Sequence, residues 1–456
     1  MQHPRRCAFA GVVAVLLLRG GSAGAQTLAA GFRDDVVFRN LVRPTAVQFA
    51  SDGRVFVAEK RGVVLVFRDL ADDAPAVFAD MQAAVDDDGE RGLLGLALHP
   101  DFPRTPYVYV LYTLRVAPGS PDARSAGVSA CEDAPGDGCV VGARLSRLRA
   151  VGDAAARPEE VLLEAWCQQY RSHSVGGLAF GDDGALYVSA GDGASARALD
   201  WGQHGRNVCG DQPDAGGALR AQSVRAAGVS LDGAVLRLDA ATGAAQADNP
   251  RPGSRVIAYG LRDPVRIAVR PGTRELWIAD AGWRSWEEID RISDTADATV
   301  ENFGWPCFEG PEPEPGYAAA RLGLCEQLYA SPAATTPPFF AYRHDASVVA
   351  GDACASGPGG AVSALAFYRG GRYPPSLEGA LFFADAARSC IWAMPAGPDG
   401  TPDPSRRFTL EAGAGAPVDI EPGPDGDLFY VDTTAGRLHR IRPLVPRQSA
   451  RTDFHA

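Results

Sequence analysis

Lysine is almost absent from this 456-residue chain, since Lys60 is the only lysine among 44 basic residues. Chemistry that depends on a lysine Schiff base therefore has a single candidate residue. The chain also contains no G-x-x-x-x-G-K-[ST] or H-E-x-x-H motif, so the usual signatures of phosphate-binding loops and zinc proteases are missing. The formal net charge of −12 disfavours nucleic acid and anionic membranes as partners.

Long apolar runs without charges are confined to the N terminus. Residues 8–18 form such a run, Arg5 and Arg6 precede it, and small residues at 23–25 offer a cleavage site before Gln26. This order of features predicts a secretory signal peptide over residues 1–25. An N-terminal membrane anchor is the alternative, but the run is short for a membrane span. We therefore expect an exported protein, periplasmic or secreted, without membrane insertion.

Export to an oxidising compartment would allow the cysteines to form disulfides. Cys7 is one of nine cysteines, and its removal with the signal leaves an even number, which in an exported chain favours disulfides. Zinc is the rival use of cysteine, but no C-x-x-C pair occurs. Spacing alone does not determine connectivity. Our hypothesis is three local pairs and one remaining pair: Cys131/Cys139, Cys307/Cys325, Cys354/Cys390 and Cys167/Cys209.

What the chain does contain is a repeated hairpin pattern, in which an apolar strand is followed by a turn and a second β-rich strand. Six copies occur, and five of them end on an acid. A hairpin repeated in this way, with an apolar inner strand, is typical of a propeller. The sequence therefore predicts an all-β, six-bladed β-propeller. The copies lie at residues 44–60, 94–113, 177–193, 265–281, 363–386 and 418–433.

The chain ends complete this prediction. Residues 32–40 read as a strand that would pair with residues 437–442 and close the ring without a free sheet edge. We expect the propeller to occupy residues 30–443 and a disordered tail to follow at 444–456. Long insertions rich in Gly, Pro, Ala and Asp hold most of the cysteines, so disulfides would staple these loops. They lie at about 114–140, 194–230 and 306–360.

Candidate chemistry lies where the first strand of each hairpin begins and the second ends, because these points meet at one mouth of the central channel. Acids end the second strand in five blades, although an acid at this point commonly satisfies turn backbone groups instead. His173 and Asp192 stand out because they lie at adjacent strand ends of one hairpin. A carboxylate beside one imidazole nitrogen predicts a general base. A surface histidine in a polar loop is the alternative.

Five motifs resemble the soluble quinoprotein glucose/sorbosone dehydrogenases, a family that includes Hedgehog-interacting-protein-like propellers. The resemblance covers about residues 30–443 and implies a six-bladed propeller. In its catalytic members, pyrroloquinoline quinone (PQQ) and a calcium ion lie at the channel mouth, where an aldose is oxidised. The motifs lie at residues 90–103, 172–193, 259–269, 279–290 and 301–311.

The resemblance implies that His173 takes the hydroxyl proton, Asp192 orients His173, and Arg262 lies beside the quinone. Carbonyl oxygens of Gly282 and Trp283 match the positions that hold the cofactor's calcium. A second, structural calcium is implied at two further positions, Glu288 and Phe303. Calcium takes oxygen ligands, including backbone carbonyls.

The chain departs from the cofactor-binding pattern at several positions. Asp263 stands where these members carry an asparagine, and Glu90, or its neighbour Arg91, stands where they carry a glutamine. Neutral residues replace a lysine and two arginines expected to meet the quinone's carboxylates, and Arg388 and Arg262 are candidates to compensate. The neutral replacements are Ala387, Ala416 and Val418.

Two functions follow from the resemblance and its departures. The first is a PQQ- and calcium-dependent oxidoreductase for a sugar or related alcohol, with His173, Asp192, Arg262, Asp263 and Glu90 at its site. The second is a calcium-stabilised propeller that binds a carbohydrate or protein without redox chemistry. The Trp-Glu-Glu sequence at 286–288 resembles the Hedgehog-interacting-protein-like branch and favours the second.

Overall fold

The structure is a computed structural model that describes residues 27–115, 138–205, 207–212, 214–223, 231–357 and 359–444. The expected signal peptide, Cys131 and residues 445–456 of the expected tail lie outside the described residues.

Among the described residues, six sheets form the blades, each with four principal antiparallel strands, as the six hairpin repeats predict. In blades 1 and 2 the strands are Pro44–Phe49, Val55–Glu59, Val63–Phe67 and Ala76–Asp80, then Leu93–Leu98, Tyr107–Thr113, Val141–Val151 and Glu160–Gln168, with Ala154–Ala155 beside the third. Blades 3 and 4 contain Val175–Phe180, Leu186–Ala190, Ala234–Leu238 and Val256–Tyr259, then Pro264–Val269, Leu276–Asp280, Trp286–Ile292 and Phe340–Arg343. Blades 5 and 6 contain Val362–Phe367, Leu381–Asp385, Cys390–Met394 and Phe408–Ala412, then Pro417–Pro422, Leu428–Asp432, Arg437–Pro443 and Phe32–Phe38.

Local sequence explains each hairpin. The inner and second strands are rich in Val, Leu, Phe and Ala, which suit sheets packed on both faces. Asp-Gly turns join the pair in several blades, and Gly53 and Gly184 adopt φ of 96° and 78° there. Residues with a Cβ rarely adopt this left-handed conformation, so glycine at these turns permits the tight connection.

The ring closes as the sequence predicts. Inner strands of successive blades lie side by side, and the inner strand of blade 6 contacts that of blade 1. Phe32–Phe38 pairs antiparallel with Arg437–Pro443, with Val36 opposite His439, so the first long strand completes the last blade. The prediction of an all-β, six-bladed propeller is confirmed.

The core lies between neighbouring blades. Trp277 of blade 4 and Trp392 of blade 5, for example, are both fully buried in one cluster with Phe383. Because the apolar faces of adjacent sheets cover each other in this way, the ring is a closely packed support from which the connecting loops emerge. Among the described residues, no helix is both long and apolar enough to cross a membrane.

The insertions carry the helices and the disulfides. Helices Pro315–Ala320 and Gly323–Tyr329 follow the third strand of blade 4, and a short helix, Arg220–Ser223, lies within blade 3. Three of the predicted disulfides are confirmed, and the fourth, Cys131/Cys139, includes a residue outside the described ones. The confirmed pairs are Cys167–Cys209, Cys307–Cys325 and Cys354–Cys390. Short 3₁₀ turns lie at Gly217–Leu219, Pro332–Ala334, Pro375–Leu377 and Pro404–Arg406, and further short strands at Thr27–Leu28, Glu301–Asn302, Phe308–Glu309 and Glu312–Pro313.

Candidate functional site

A cavity of about 600 Å³ opens at the channel mouth where the inner strands begin. Inner-strand residues from all six blades contribute to its wall, together with the loops that precede them. Four of the charged lining residues come from three places on the ring. Arg43 and Lys60 belong to blade 1, Glu90 to the loop before blade 2, and Asp263 to the loop before blade 4.

His173 and Asp192 form a buried pair beside this cavity. The Nδ1 atom of His173 lies 2.7 Å from Oδ1 of Asp192. The side chains are 2% and 0% exposed, so the alternative of a surface histidine is wrong. Nε2 of His173 is buried and has no hydrogen-bond partner among the described residues. Its neighbour Ser174 lines the cavity.

The strand pairing of blade 3 explains this geometry. Val175 at the start of the inner strand lies opposite Ala190 near the end of the second, so the residues beyond both ends meet. His173 adopts φ of 50°, an uncommon backbone conformation for a residue with a side chain. Its N–H donates to Oε2 of Glu90 over 2.7 Å, and its carbonyl accepts from Gly193. Hydrogen bonds to the backbone N–H and to the backbone carbonyl therefore fix the position of His173.

Asp192 is anchored by two further donors. The N–H of Ala194 donates to Oδ1 over 2.8 Å, and the indole N–H of Trp305 donates to Oδ2 over 2.7 Å. Burial alone would raise the pKa of Asp192, but His173, the hydrogen bonds and Arg262 outweigh burial and hold the pKa below its ordinary value. An ionised Asp192 would hold a proton on Nδ1 of His173 and leave Nε2 free to accept one.

Arg262 lies next to this pair and is almost fully buried. Its Nη1 donates to the carbonyls of Ala281 and Gly282 over 2.8 and 2.7 Å, and its guanidinium lies 5.5 Å from the ring centre of Trp305. Gly282 is one of the two expected calcium positions, with Trp283. A cation at the Gly282 carbonyl would therefore have to share it with Arg262.

The structure decides between Glu90 and Arg91. Glu90 lines the cavity and contacts the backbone of His173. Arg91 is fully buried, pairs with Asp86 at 3.0 Å and donates to the carbonyls of Gln168 and Tyr170. Glu90 is thus the residue of this pair that faces the site.

Asp263 also faces the cavity, and it lies beside other acids. Burial, and then the negative charge of Glu90, raise the pKa of Asp263 well above its ordinary value. Its N–H donates to Oδ1 of Asp280 over 2.6 Å, while the N–H of Arg262 donates to the other oxygen. Asp263 is therefore held at the wall as a carboxyl that favours its protonated form.

Glu288 lies in a second group of buried acids in blade 4. Glu288 is opposite Asp280 in the strand pairing, and Asp290 follows two residues later on the same face. Burial raises the pKa of Glu288 and Asp290 well above ordinary values, and neither carboxylate oxygen of Asp290 has a hydrogen-bond partner among the residues described. Phe303, the other position expected for the second calcium, is buried. Its N–H donates a hydrogen bond to the carbonyl of Tyr259.

No group of three or more His, Cys, Asp or Glu side chains with the geometry to hold a metal ion occurs within the described parts of the chain. The expected calcium positions consist mainly of backbone carbonyls, with Glu288 as the one carboxylate. They stay predictions.

Most strand-end acids do not face the mouth, in agreement with the interpretation that an acid at this point satisfies turn backbone groups. Asp192 pairs with His173, but the other four accept backbone N–H groups close to them, as turn acids commonly do. None of the five lines the cavity. The four are Glu59, which accepts from Val42, Asp280 from Arg262 and Asp263, Asp385 from Arg388, and Asp432 from Ala416 and Thr434.

Comparison with known proteins agrees with this architecture. A sequence model described as Glucose / Sorbosone dehydrogenase matches residues 41–440. The chain belongs to the glucose/sorbosone dehydrogenase family.

The individual relatives in the family have low sequence identity to this chain. Quinoprotein glucose dehydrogenase B of Acinetobacter calcoaceticus is 27% identical over 302 residues, which cover 65% of this chain and 57% of that protein. Hedgehog-interacting protein of Mus musculus is 29% identical over 253 residues, covering 51% of this chain and 31% of the relative. This chain thus spans little more than half, or less, of these curated relatives. The PQQ-bound aldose sugar dehydrogenase of Streptomyces coelicolor shares the fold with a TM-score of 0.60 at 20% identity, covering 91% of this chain and 99% of that one.

Within a glucose/sorbosone dehydrogenase framework, the structure corrects one expected compensation. Arg388 does not replace the missing cations, because it is 3% exposed and donates to the carbonyls of Arg343, His344 and Ala346. Val418 does line the cavity, so an apolar side chain stands where a cation was expected.

Two features of the site have little sequence signal. Trp305 lies 113 residues from Asp192 in the chain, and no local pattern predicts its contact with that carboxylate. Arg43 and Lys60 both line the cavity, and the rarity of lysine is the one signal that points to Lys60.

Proposed function

We propose that this protein is an exported PQQ- and calcium-dependent oxidoreductase that oxidises an aldose or a related polyhydroxylated alcohol, with His173 as the general base. One observation carries the proposal. His173 Nδ1 contacts Asp192 at 2.7 Å, while buried Nε2 has no hydrogen-bond partner in the part of the chain that the structure describes, beside a cavity of about 600 Å³. Family membership supports the reaction class.

The residues present fit the cofactor. Arg262, Asp263 and Glu90 would contact the quinone, and Lys60 and Arg43 add positive charge to the wall. Gly282 and Trp283 would offer carbonyl oxygens to its calcium, and Glu288 with Phe303 would hold the second calcium. When bound, PQQ supplies a two-electron oxidant that accepts hydride.

The chain's own residues account for the proton. In an aldose, oxidation at the anomeric carbon removes a hydroxyl proton and, as hydride, the hydrogen on that carbon, and a lactone forms. Nε2 of His173 would accept the proton, because Asp192 keeps the other nitrogen protonated. Asp192 then stabilises the imidazolium through the 2.7 Å contact.

Three disulfides among the described residues are compatible with an oxidising compartment, and the predicted signal peptide supports export. A small sugar or alcohol is the expected substrate, since the cavity is lined by both polar and apolar side chains.

A non-catalytic propeller that binds a carbohydrate or protein at the cell surface is the second candidate. It is favoured by the apolar Val418 at an expected cation position and by the similarity to Hedgehog-interacting protein. The cavity itself argues against it. Of the described residues in the 306–360 insertion, none lines the cavity, so this insertion does not fill the site.

The test is a titration of the purified mature protein with PQQ in calcium-containing buffer, followed by absorbance and then by bleaching with a panel of aldoses. We expect saturable binding and sugar-dependent reduction in the wild type. His173→Ala should bind the cofactor and lose reduction, while the matched control His99→Ala, a change in the turn of blade 2, should keep both. Absence of PQQ binding at tens of micromolar, about the range of useful cofactor affinity, would favour the second candidate.

A further inference from the structure

Lys60, the only lysine, lines the cavity although its residue is just 7% exposed. It follows the second strand of blade 1, and its N–H bonds to the carbonyl of Arg43 over 3.0 Å. The aliphatic stem packs on Gly92, where an added Cβ would stand 2.6 Å from Cγ of Lys60. Glycine at 92 therefore makes room for the lysine, and the position of the side chain is determined by both blades.

The ammonium group of Lys60 is only partly satisfied. Nζ donates to the carbonyl of Asp87 over 2.6 Å, which uses one of its three N–H groups. Among the described residues it forms no ion pair with a carboxylate. A nearly buried cation without a paired carboxylate is uncommon, because its desolvation is not offset.

Nearby acids do not supply that partner, because each has another cation. Burial, and then the charge of Arg43, lower the pKa of Lys60 to about 8, against the opposing effect of three aspartates. These aspartates pair elsewhere: Asp86 with Arg91 at 3.0 Å, Asp87 with Arg43 at 4.0 Å, and Asp88 with Arg171 at 3.7 Å.

Arg43 stands beside Lys60 on the same wall. Its side chain is 54% exposed, and its contact with Asp87 is at the limit of an ion pair. An exposed guanidinium offers five donors, of which a carboxylate takes two in a bidentate contact. Lys60 and Arg43 thus both line one cavity, and each has N–H donors that no hydrogen bond within the described parts of the chain uses.

We propose that Lys60 and Arg43 form a carboxylate-binding subsite at the channel mouth. The shared chemistry of its ligand is a carboxylate on a molecule small enough for the cavity. The assignment of the ligand rests on the proposed function: the ligand is a carboxylate of PQQ. The subsite then replaces the cations that are missing from blades 5 and 6. A uronic acid substrate presents the same group, so the experiment separates the two sources.

Because Lys60 is the only lysine, an acetylating reagent reports on one side chain, and the N-terminal amine is resolved as a different peptide by mass spectrometry. The rate of Lys60 acetylation is measured on the full mature chain, alone and with PQQ, glucuronate or glucose. We expect labelling without ligand, and at least a fivefold slower rate with PQQ. Protection by glucuronate but not by glucose would identify an acidic sugar as the ligand.

Variants provide the second measurement, which is the PQQ dissociation constant. Lys60→Gln should weaken binding at least tenfold, Arg43→Gln should weaken it less, and Lys60→Arg, which keeps the charge, should retain most of the affinity. The subsite is overturned if Lys60 resists acetylation without ligand, or if neither PQQ nor glucuronate protects it. Unchanged PQQ affinity in Lys60→Gln together with sugar oxidation would overturn the cofactor assignment while the proposed function stands. Protection by glucuronate without any PQQ binding would retain the subsite and remove the proposed function.

Discussion

Trp305 and His173 hold opposite oxygens of the same carboxylate. The indole N–H of Trp305 donates to Oδ2 of Asp192 over 2.7 Å, and Nδ1 of His173 lies 2.7 Å from Oδ1. Trp305 belongs to a loop far along the chain, where it packs against Trp283 and Tyr317. The aromatic loop of blade 4 therefore contributes a donor to Asp192, the partner of the proposed base His173.

Replacing Trp305 by Phe keeps most of the ring and removes this donor. The indole N–H also fixes the position of Asp192, and because a misplaced Asp192–His173 pair reacts more slowly, we expect kcat to fall by roughly tenfold to a hundredfold. Without the indole donor, the less neutralised Asp192 stabilises the imidazolium more strongly, so the acidic limb of the pH–rate profile should move to higher pH. The profile is measured from the initial rate of sugar-dependent dye reduction.

The matched control is Trp283→Phe. Trp283 lies in the same aromatic cluster but donates its indole N–H to the carbonyl of Ala196 over 2.7 Å. An equal shift of the pH profile in both variants would contradict a specific role for Trp305 and indicate a packing effect.

Asp192→Asn should reduce kcat by about 10²- to 10⁴-fold while PQQ affinity changes little. The amide is close in size to the carboxylate, but its charge no longer stabilises protonated His173, and its NH₂ group favours the wrong tautomer. Single-turnover reduction of bound cofactor by sugar measures this step directly. A variant with wild-type reduction rate would show that His173 is not the base, and calorimetric unfolding checks that the fold is intact.

The acids of blade 4 predict a dependence of stability on pH and calcium. Burial raises the pKa of Asp280 to about 7, with smaller opposing effects from backbone N–H groups. The contribution of Asp280 to folding stability is therefore fully present when the pH is below the pKa of an unfolded aspartate, about 4. This contribution is lost as the pH rises through the pKa of Asp280 in the folded protein, about 7. A bound cation would restore stability where the acids ionise. We expect calcium to raise Tm by several degrees at pH 8 and less at pH 5.

Differential scanning calorimetry with calcium or with EDTA measures this effect. Asp290→Asn should raise Tm in EDTA at pH 8, because it removes a buried carboxyl that has no hydrogen-bond partner in the described ranges of the chain. The same change should reduce the gain from calcium if the ion lies beside Glu288. A calcium effect of equal size at pH 5 and pH 8 in both proteins would argue against a cation site among these acids.

Arg388→Met should destabilise the protein without weakening cofactor binding. The guanidinium donates to three backbone carbonyls, and its loss leaves them and Asp385 without these partners. We expect about 3 kcal/mol lower stability toward urea. The exposed Arg39→Met is the control and should change stability by less than about 0.5 kcal/mol. A weaker PQQ affinity in Arg388→Met, measured at a temperature where the variant is folded, would restore Arg388 as a cofactor ligand.

Much of the fold could be predicted because the signals for hairpins are local. An apolar strand, an Asp-Gly turn and a second strand each act within about twenty residues, and six repeats leave few architectures. The proximity of His173 and Asp192 followed from the same logic, since Val175 opposite Ala190 brings the adjoining residues together. Ring closure by Phe32–Phe38 followed from the need to cover the edge of the last blade.

Side-chain directions could not be predicted in the same way. Arg388, Glu59 and Asp385 all lie at strand ends, yet each is turned toward backbone groups that would otherwise be unsatisfied. Competition among nearby donors and acceptors decides such directions, and it depends on loop backbones that have no repeating pattern.

The sequence by itself determined the propeller and the blade order, because both depend on strand periodicity and turns, and it favoured the disulfide pairs and the meeting of His173 with Asp192 that the structure confirms. Only the tertiary structure decided that Trp305 holds Asp192, that Arg388 leaves the site, and that Lys60 with Arg43 faces the cavity. These contacts join loops from different parts of the chain, and burial forces each polar group to find whichever partner the packed ring brings within reach.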